Sequence, residues 1–230
     1  MIIKEHEISI FDLDDSFALS FVEGDELYKH SVYFDLEHYV YKKPKCIGVF
    51  GAWIYNNIDK KLYVTQYMIE NKGEVVDILV LAKKYFLKMR EIGKKSIVTF
   101  SGNNDYTVIN YLFKKYNINF NIEGEFKSID IQKEYEKSKK TSIGLKNLEK
   151  LFEIFREGEV ISGSNLAKTF HKVLKDDEYI ERMPKEKIDT ILLYNEQDVV
   201  NLFKILTLWG RYMKEEVLSN DNKKEEDETQ

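Results

Sequence analysis

The chain has 230 residues, of which 43% are hydrophobic and 33% charged, and its formal net charge is −5. This length suits one sizeable domain with a packed core, and the 13% of aromatic residues excludes an intrinsically disordered chain. A single cysteine, Cys46, excludes an internal disulfide, no apolar run reaches the roughly 18 residues of a membrane span, and the acidic start is unlike a targeting peptide, so a cytoplasmic protein is expected.

Charge divides the chain unevenly. Residues 214–230 contain three basic and seven acidic residues, so the rest of the chain is close to neutral. There are two prolines, and no linker rich in Ser, Gly or Pro is visible. The pattern therefore predicts one domain over residues 1–213, with a polar-edged element over 1–30, and a disordered acidic tail over 214–230.

Hydrophobic periodicity predicts three strands first, and alternating helices and strands afterwards. The predicted strands cover residues 31–34, 46–55, 61–69, 96–100 and 125–131. The predicted helices cover residues 74–91, 106–116, 145–152, 164–175 and 185–213. This order predicts an α/β fold whose mixed sheet, with three antiparallel strands and then parallel strands, is flanked by helices.

The first acidic motif follows the first predicted strand, where Asp35 and Glu37 flank Leu36. Side chains two residues apart in a strand point to the same face, so both carboxylates should project together at the end of the strand. Two like charges side by side are unfavourable unless a cation lies between them. A strand end turning into solvent would show the same pattern, so the motif alone leaves both interpretations open.

The second acidic residue, Asp105, lies in the run TFSGNNDYTVINYL, between a buried strand and an apolar helix. Aspartate often serves as the N-cap of such a helix. Asn103 or Asn104 could fill that role equally well, which would leave Asp105 free to face a cleft.

The third motif lies in the last predicted helix, where Tyr194 and Asp198 are four residues apart and therefore share one face. Apolar neighbours such as Leu192 and Val199 surround Asp198. An aspartate in this setting favours a buried partner or a metal ion, although a boundary position beside Glu196 and Gln197 would also explain it.

These three motifs, in this order, resemble those of the DEDD-type 3′-to-5′ exonucleases, which have a ribonuclease-H-like fold. The matching runs are YFDLE, TFSGNNDYTVINYL and YNEQD, and Leu193 indicates the subtype with a tyrosine rather than a histidine in the third motif. The run SIGLKNLEKLFEIFREGEVISG is similar to a stretch of YprB-like ribonuclease-H-like domains that reads L-x-x-L-E followed by Arg and Gly. His38 stands where the family often has a small hydroxyl residue.

The resemblance implies a 3′-to-5′ exonuclease that hydrolyses phosphodiester bonds of single-stranded DNA or RNA with two divalent ions, Mg²⁺ or Mn²⁺. It implies the following metal ligands: Asp35, Glu37, Asp105 and Asp198. It also implies that Tyr194 orients the attacking water. The residue types fit this chemistry, because hard ions prefer oxygen ligands and two such ions can activate water and stabilise the leaving oxygen.

Two alternatives compete with this interpretation. The run ISIFDLDDS, with Asp12 and Asp14, looks like the nucleophile motif of haloacid-dehalogenase-type phosphatases, for which Ser101 could be the second motif. The polar residues before Asp12 are poorly suited to a central parallel strand. The other alternative is a ribonuclease-H-like domain that binds nucleic acid without cleaving it, but four unneutralised acids would repel phosphate.

A small basic patch near the first motif is a further candidate for substrate binding. Lys42, Lys43 and Lys45 are interleaved with Tyr39 and Tyr41 in this part of the sequence. Lysines could contact phosphates and tyrosines could stack on bases, although a solvated loop would have the same composition.

Overall fold

A computed structural model describes the backbone of residues 1–11, 13–22, 25–158 and 161–227, and within these ranges it describes side chains as far as residue 213. The described strands are β1 (Ile2–Ser9), β2 (Ser31–Tyr41), β3 (Lys43–Asn56), β4 (Lys61–Met68), β5 (Ser96–Thr99) and β6 (Lys127–Asp130). The described helices are α1 (Val75–Glu91), α2 (Asn103–Lys115), α3 (Ile122–Glu125), α4 (Ile131–Lys139), α5 (Leu145–Leu151), α6 (Gly163–Val173) and α7 (Lys185–Asp227).

All six strands form one sheet in the order β1-β4-β3-β2-β5-β6. The neighbouring strands β1, β4, β3 and β2 pair antiparallel, whereas β5 and β6 continue the sheet in parallel with β2. Short hairpins join β2 to β3 and β3 to β4, and helices precede each of the parallel strands β5 and β6. The predicted fold class, a ribonuclease-H-like mixed sheet flanked by helices, is confirmed.

The sheet differs from the prediction at its antiparallel edge. β1 pairs with β4 from Ile2 opposite Met68 to Ser9 opposite Lys61, although periodicity predicted no strand there. The polar residues of β1 belong to an edge strand with one partner, where such residues are common. β1 therefore lies at the edge of the sheet, antiparallel to its neighbour.

Each face of the sheet is covered by a separate hydrophobic cluster. Phe34 and Leu36 of β2 point to the cluster that contains the buried residues of α1, α2 and α6. Tyr33 points to the opposite cluster, which contains the buried apolar residues of α7 from Val199 onwards, and its ring stacks on Trp53 at 4.4 Å between centroids. This alternation along β2 places the side chains of Asp35 and Glu37 on the face that α7 covers.

The last helix extends beyond the predicted end at Met213, because α7 spans Lys185–Asp227. The side chains after Met213 lie outside the described part of the chain, and the division into a domain and an acidic tail stays a prediction. Among the described residues, none of the helices combines the length and the apolar composition that crossing a bilayer requires.

Candidate metal centre

Two acidic side chains of the site come from the interior of β2, not from its end as the sequence predicted. β2 continues to Tyr41 because β3 pairs with it along its whole length, with Asp35 opposite Gly51 and Glu37 opposite Val49. The parallel neighbour β5 pairs with β2 only as far as Tyr33. Asp35 and Glu37 therefore lie where the parallel side of β2 is no longer paired, which leaves room for a site.

The pairing between β2 and β3 shifts register directly after Glu37. Such irregularities re-aim side chains and are common beside active sites. Asp35 is partly exposed, whereas Glu37 is 8% and Asp198 7% exposed. One carboxylate oxygen from each of these three residues lies within 4.8 Å of those of the other two. The structure thus brings together residues that are 163 positions apart in the sequence, on a strand and on the last helix.

Asp105 lies in the first turn of α2 and is 6% exposed. Its carboxylate lies outside the group of three oxygens. Burial raises the pKa of Asp105, and the negative charge of Asp35 raises it further. Burial also lowers the pKa of His38, whose Nδ1 lies 4.0 Å from Oδ1 of Asp105, so this contact is not an ion pair at neutral pH.

The turn before α2 shows why Asp105 is free to face the site. Gly102 occupies the N-cap position and no side chain of α2 caps the helix, so neither Asn103 nor Asn104 has the capping role that the sequence suggested. The carboxylate of Asp130, at the end of β6, instead accepts hydrogen bonds from the backbone amides of Ser101 at 2.9 Å and Gly102 at 3.2 Å.

A buried amide network fixes Asp35. Nδ2 of Asn195 donates to Oδ2 of Asp35 at 3.1 Å, and Oδ1 of Asn195 accepts from Nε2 of Gln66 at 2.9 Å. Gln66 also donates to the carbonyl of Leu192 at 2.8 Å. In the sheet, Gly51 lies between Asp35 and Gln66. A Cβ atom at Gly51 would come within 2.0 Å of Oδ1 of Asn195. Glycine at this position therefore makes room for the amide that holds Asp35.

An arginine that sequence reasoning did not single out contacts Asp198. Nη2 of Arg156 pairs with Oδ1 of Asp198, and the same guanidinium donates to both carboxylate oxygens of Glu149 at 2.6 Å each. Burial lowers the pKa of Arg156, but its bonds to Glu149 and the charge of Asp198 outweigh this and raise it above its ordinary value. The signal in the sequence was the L-x-x-L-E run followed by an arginine, to which no role was attached.

Tyr194 lies one helical turn before Asp198 and is half-buried. Nζ of Lys146 is 5.1 Å from the centroid of its ring, and the guanidinium carbon of Arg156 is 5.4 Å from it. Burial and the negative charge of Asp198 raise the pKa of the Tyr194 hydroxyl, so the phenol keeps its proton at neutral pH and can donate a hydrogen bond. These side chains line a cleft of about 330 Å³, together with Asp35, Phe100 and the residues around Gly144.

The electrostatics of the cluster favour a bound cation. Burial, followed by the charge of Asp198, raises the pKa of Asp35 to about 7. Burial and the neighbouring carboxylates raise the pKa of Glu37 well above its ordinary value, and burial raises that of Asp198 to about 6 although Arg156 opposes the shift. Carboxylates that destabilise one another in this way are a donor set for a hard divalent ion, which would supply the missing positive charge.

A comparison with known protein families identifies the superfamily of the chain. The sequence model described as the RNase_H superfamily matches residues 32–210. The chain belongs to the RNase_H superfamily. The match covers all three acidic motifs, and membership of the RNase_H superfamily indicates nuclease-type activity on nucleic acid with divalent metal ions. No curated protein matches the chain.

The described residues do not form the site that the phosphatase alternative requires. The strand before the Asp12–Asp14 motif is the antiparallel edge strand β1, not a central parallel one. Asp14 caps a short 3₁₀ helix by accepting the amide of Ser16 at 3.1 Å, and Asp12 lies outside the described residues. Ser101 belongs to the turn that Asp130 binds.

The basic patch lies at the hairpin between β2 and β3. Lys42 forms the turn with a φ of 58°, and Nζ of Lys42 and of Lys45 lie 5.8 and 6.0 Å from the centroid of the Tyr41 ring. Tyr41 is 59% exposed, whereas Tyr39 packs edge-on against His171 at 4.9 Å. Tyr41 therefore remains available for stacking, and Tyr39 is taken by a contact within the protein.

Proposed function

We propose that the protein is a metal-dependent 3′-to-5′ exonuclease that hydrolyses phosphodiester bonds at the 3′ ends of single-stranded DNA or RNA. The observation that supports this most directly is the meeting of the carboxylates of Asp35, Glu37 and Asp198, with the phenol of Tyr194 one turn from Asp198. This arrangement matches the tyrosine subtype of the DEDD-type exonucleases, which the order of the motifs resembles.

The chain's own residues divide the work of the reaction. Asp35, Glu37, Asp105 and Asp198 would hold two divalent ions, Mg²⁺ or Mn²⁺. When bound, such ions provide a nucleophile at neutral pH and stabilise the charge on the leaving oxygen. Tyr194 would orient the attacking water through its hydroxyl, which burial and the charge of Asp198 keep protonated.

The cleft supports a single-stranded substrate. Its volume of about 330 Å³ is at the lower end of the roughly 300–1,000 Å³ of small-molecule sites, which suits one nucleotide better than a duplex. Lys146 places a positive charge at the wall of the cleft, where it can attract the phosphate of the terminal nucleotide. Tyr41, Lys42 and Lys45 offer a second contact for nucleotides farther along the nucleic-acid strand.

The test is cleavage of 5′-labelled single-stranded DNA and RNA with Mg²⁺, with Mn²⁺ and with a chelator, and the products are resolved at single-nucleotide steps. An exonuclease of this polarity gives a ladder that shortens from the 3′ end and releases mononucleotides, and the chelator stops it. A circularised oligonucleotide of the same sequence should remain intact. Cleavage of the circle would assign an endonuclease instead.

Two further measurements, strand binding and p-nitrophenyl phosphate hydrolysis, address the alternatives. Binding of the labelled strand without cleavage in either metal would favour the non-catalytic nucleic-acid-binding domain. Hydrolysis of p-nitrophenyl phosphate that is lost in Asp12→Asn, with no cleavage of nucleic acid, would favour the phosphatase.

A further inference from the structure

The ion pair between Arg156 and Asp198 belongs to a longer chain of buried polar contacts. Nε and Nη2 of Arg156 bond to the two carboxylate oxygens of Glu149, and Oε1 of Glu149 also accepts a hydrogen bond from Nδ2 of Asn201 at 2.9 Å. Glu149 is 2% exposed and Asn201 is also 2% exposed. Each carboxylate oxygen of Glu149 therefore has a partner inside the protein.

This chain of contacts begins and ends on the same helix. Asp198 and Asn201 are three residues apart on α7 and hence lie on one side of it. Arg156 contacts Asp198, and Glu149 accepts the hydrogen bond from Asn201. The guanidinium is thus tied at two points to Glu149, which is itself tied to α7, so it cannot swing away from Asp198 without breaking both of its hydrogen bonds to Glu149.

Charge explains why an arginine beside a metal site needs such a partner. Four carboxylates and two divalent ions balance, and an additional isolated cation in contact with Asp198 would repel both ions. Glu149 cancels that charge, because it makes a bidentate pair with Arg156 in a buried location where screening by water is weak. The pair adds orientation to the site and no net charge.

We propose that Glu149 and Arg156 are a positioning pair for the metal centre: Arg156 holds one oxygen of Asp198 and the ring of Tyr194 in place, and Glu149 neutralises Arg156 so that the ions still bind. This inference rests on the proposed metal-dependent function. It predicts that the two residues have separable effects, one on the affinity for metal and the other on the rate of cleavage.

Four variants separate these effects: Glu149→Gln, Arg156→Lys, Arg156→Met and the double variant Glu149→Gln/Arg156→Met. Mn²⁺ affinity is measured by electron paramagnetic resonance without substrate, and single-turnover cleavage is measured at saturating Mn²⁺. Glu149→Gln should weaken Mn²⁺ binding by about 10-fold or more, because it leaves the charge of Arg156 uncompensated, and outer contacts of metal ligands typically contribute about 10- to 100-fold. The double variant removes both charges and should restore Mn²⁺ affinity.

The rate should behave differently from the affinity. The double variant should cleave about 10- to 100-fold more slowly than the wild type at saturating Mn²⁺, because Asp198 and Tyr194 lose their fixed neighbour. Arg156→Lys keeps the charge but not the planar fork, so it should bind Mn²⁺ like the wild type and still cleave slowly. Arg156→Met leaves Glu149 buried with the hydrogen bond from Asn201 but without a positive charge to pair with, and should be the least stable of the four.

An exposed pair of the same residue types provides the matched control. Arg90 and Glu125 are 2.6 Å apart on the surface, and Arg90→Met/Glu125→Gln should change neither Mn²⁺ affinity nor rate. Wild-type Mn²⁺ affinity in Glu149→Gln, or wild-type cleavage in the double variant or in Arg156→Lys, would overturn the inference. A wild-type protein that neither binds Mn²⁺ nor cleaves would instead reject the proposed function itself.

Discussion

Two aspartates in the parallel half of the sheet have opposite surroundings. Asp130, at the end of β6, accepts three backbone amides, those of Ser101, Gly102 and Gln132, at 2.9 to 3.2 Å. Asp35, in β2, accepts a hydrogen bond from Asn195, and its other close neighbours are the carboxylates of the cluster. One strand, β5, separates the two aspartates in the sheet.

The difference shows what each carboxylate is for. The backbone around Asp130 satisfies its charge, and in return Asp130 fixes the turn that leads into α2. The surroundings of Asp35 contain too little positive charge for the carboxylates gathered there, and burial raises its pKa further. A buried acid with satisfied hydrogen bonds stabilises a fold, whereas a buried acid among other acids is expected to bind a cation.

The largest expected effect comes from the same substitution at the two positions. Asp35→Asn keeps the shape of the side chain but removes a charge that the metal ions need, so cleavage should fall below detection and Mn²⁺ binding should weaken. Asp130→Asn replaces one acceptor oxygen by an amino group facing the amide of Gly102, which should destabilise the fold by about 1–3 kcal/mol. Single-turnover cleavage, Mn²⁺ titration and thermal unfolding are measured for both.

The test is the contrast between the two variants in stability and in Mn²⁺ binding. Asp35→Asn should unfold at the same temperature as the wild type or higher, because it relieves repulsion, while Asp130→Asn should lose stability and keep Mn²⁺ binding. If Asp35→Asn cleaves at the wild-type rate in Mg²⁺, Asp35 is not a metal ligand.

A smaller effect is expected at Tyr194, because the role proposed for it is to orient a reactant without holding a charge. Tyr194→Phe removes the hydroxyl and keeps the ring against Arg156 and Lys146. Cleavage should slow by about 10²- to 10⁴-fold, as is typical for such groups, whereas Mn²⁺ affinity and substrate affinity should stay close to those of the wild type. Single-turnover rates for Tyr194→Phe beside Asp198→Asn make the comparison, and equal rates for Tyr194→Phe and the wild type would exclude the catalytic role.

Gly51 allows the support of Asp35 to be tested without touching an acid. A Cβ atom at Gly51 would lie 2.0 Å from Oδ1 of Asn195, and one at Gly48, on the same strand, would lie 2.2 Å from the ring of Phe170 in the core. Both alanine variants should therefore lose stability, by about 1–3 kcal/mol from overpacking. Gly51→Ala should in addition slow cleavage, because the displaced Asn195 no longer holds Asp35.

The control Gly48→Ala strains the same strand to a similar degree, but through the ring of Phe170 and not through Asn195. Cleavage rates of the folded fractions, measured under conditions where both variants are native, isolate the effect on the site. Equal rates for the two variants would show that Asn195 does not position Asp35.

Local periodicity predicted which polar residues share a face within one element, and the resemblance to an exonuclease family joined the elements into one predicted site. The alternation of a strand places Asp35 and Glu37 on one face, and the period of a helix places Tyr194 and Asp198 on another. The order of the elements then predicted the mixed sheet. The predicted position of Asp35 at the end of its strand was wrong, because β2 continues to Tyr41 through its pairing with β3, which local propensity does not reveal.

The contacts that support the acids could not be predicted in this way. Asn195 reaches Asp35 from 160 positions away and Gln66 reaches Asn195 from 129 positions away. Arg156 lies in a segment without regular structure, between α5 and the undescribed residues 159 and 160, so no period placed it near Asp198. Such partners are fixed by tertiary packing, and a buried amide or arginine gives little local indication of which acid it will meet.

A further expected effect is on the pH dependence of stability in the absence of metal. The pKa of Asp35 is raised to about 7 and that of Asp198 to about 6 in the folded protein, whereas in the unfolded chain both should titrate near 4. The folded state therefore binds more protons than the unfolded state between about pH 4 and pH 7, so stability is greatest below this range and is lost as the pH rises through it. One pKa unit corresponds to about 1.4 kcal/mol, and about 1 kcal/mol shifts Tm by roughly 2–4 °C for a domain of this size. Tm in chelator should thus fall by several degrees between pH 5 and pH 8.

Saturating Mg²⁺ should abolish most of this decrease in Tm, because it stabilises the ionised carboxylates. Asp35→Asn should flatten the decrease in chelator. Asp130→Asn should lower Tm and leave the difference between chelator and Mg²⁺ in place. A slope that is the same with and without Mg²⁺ would show that the raised pKa values do not arise from a metal centre.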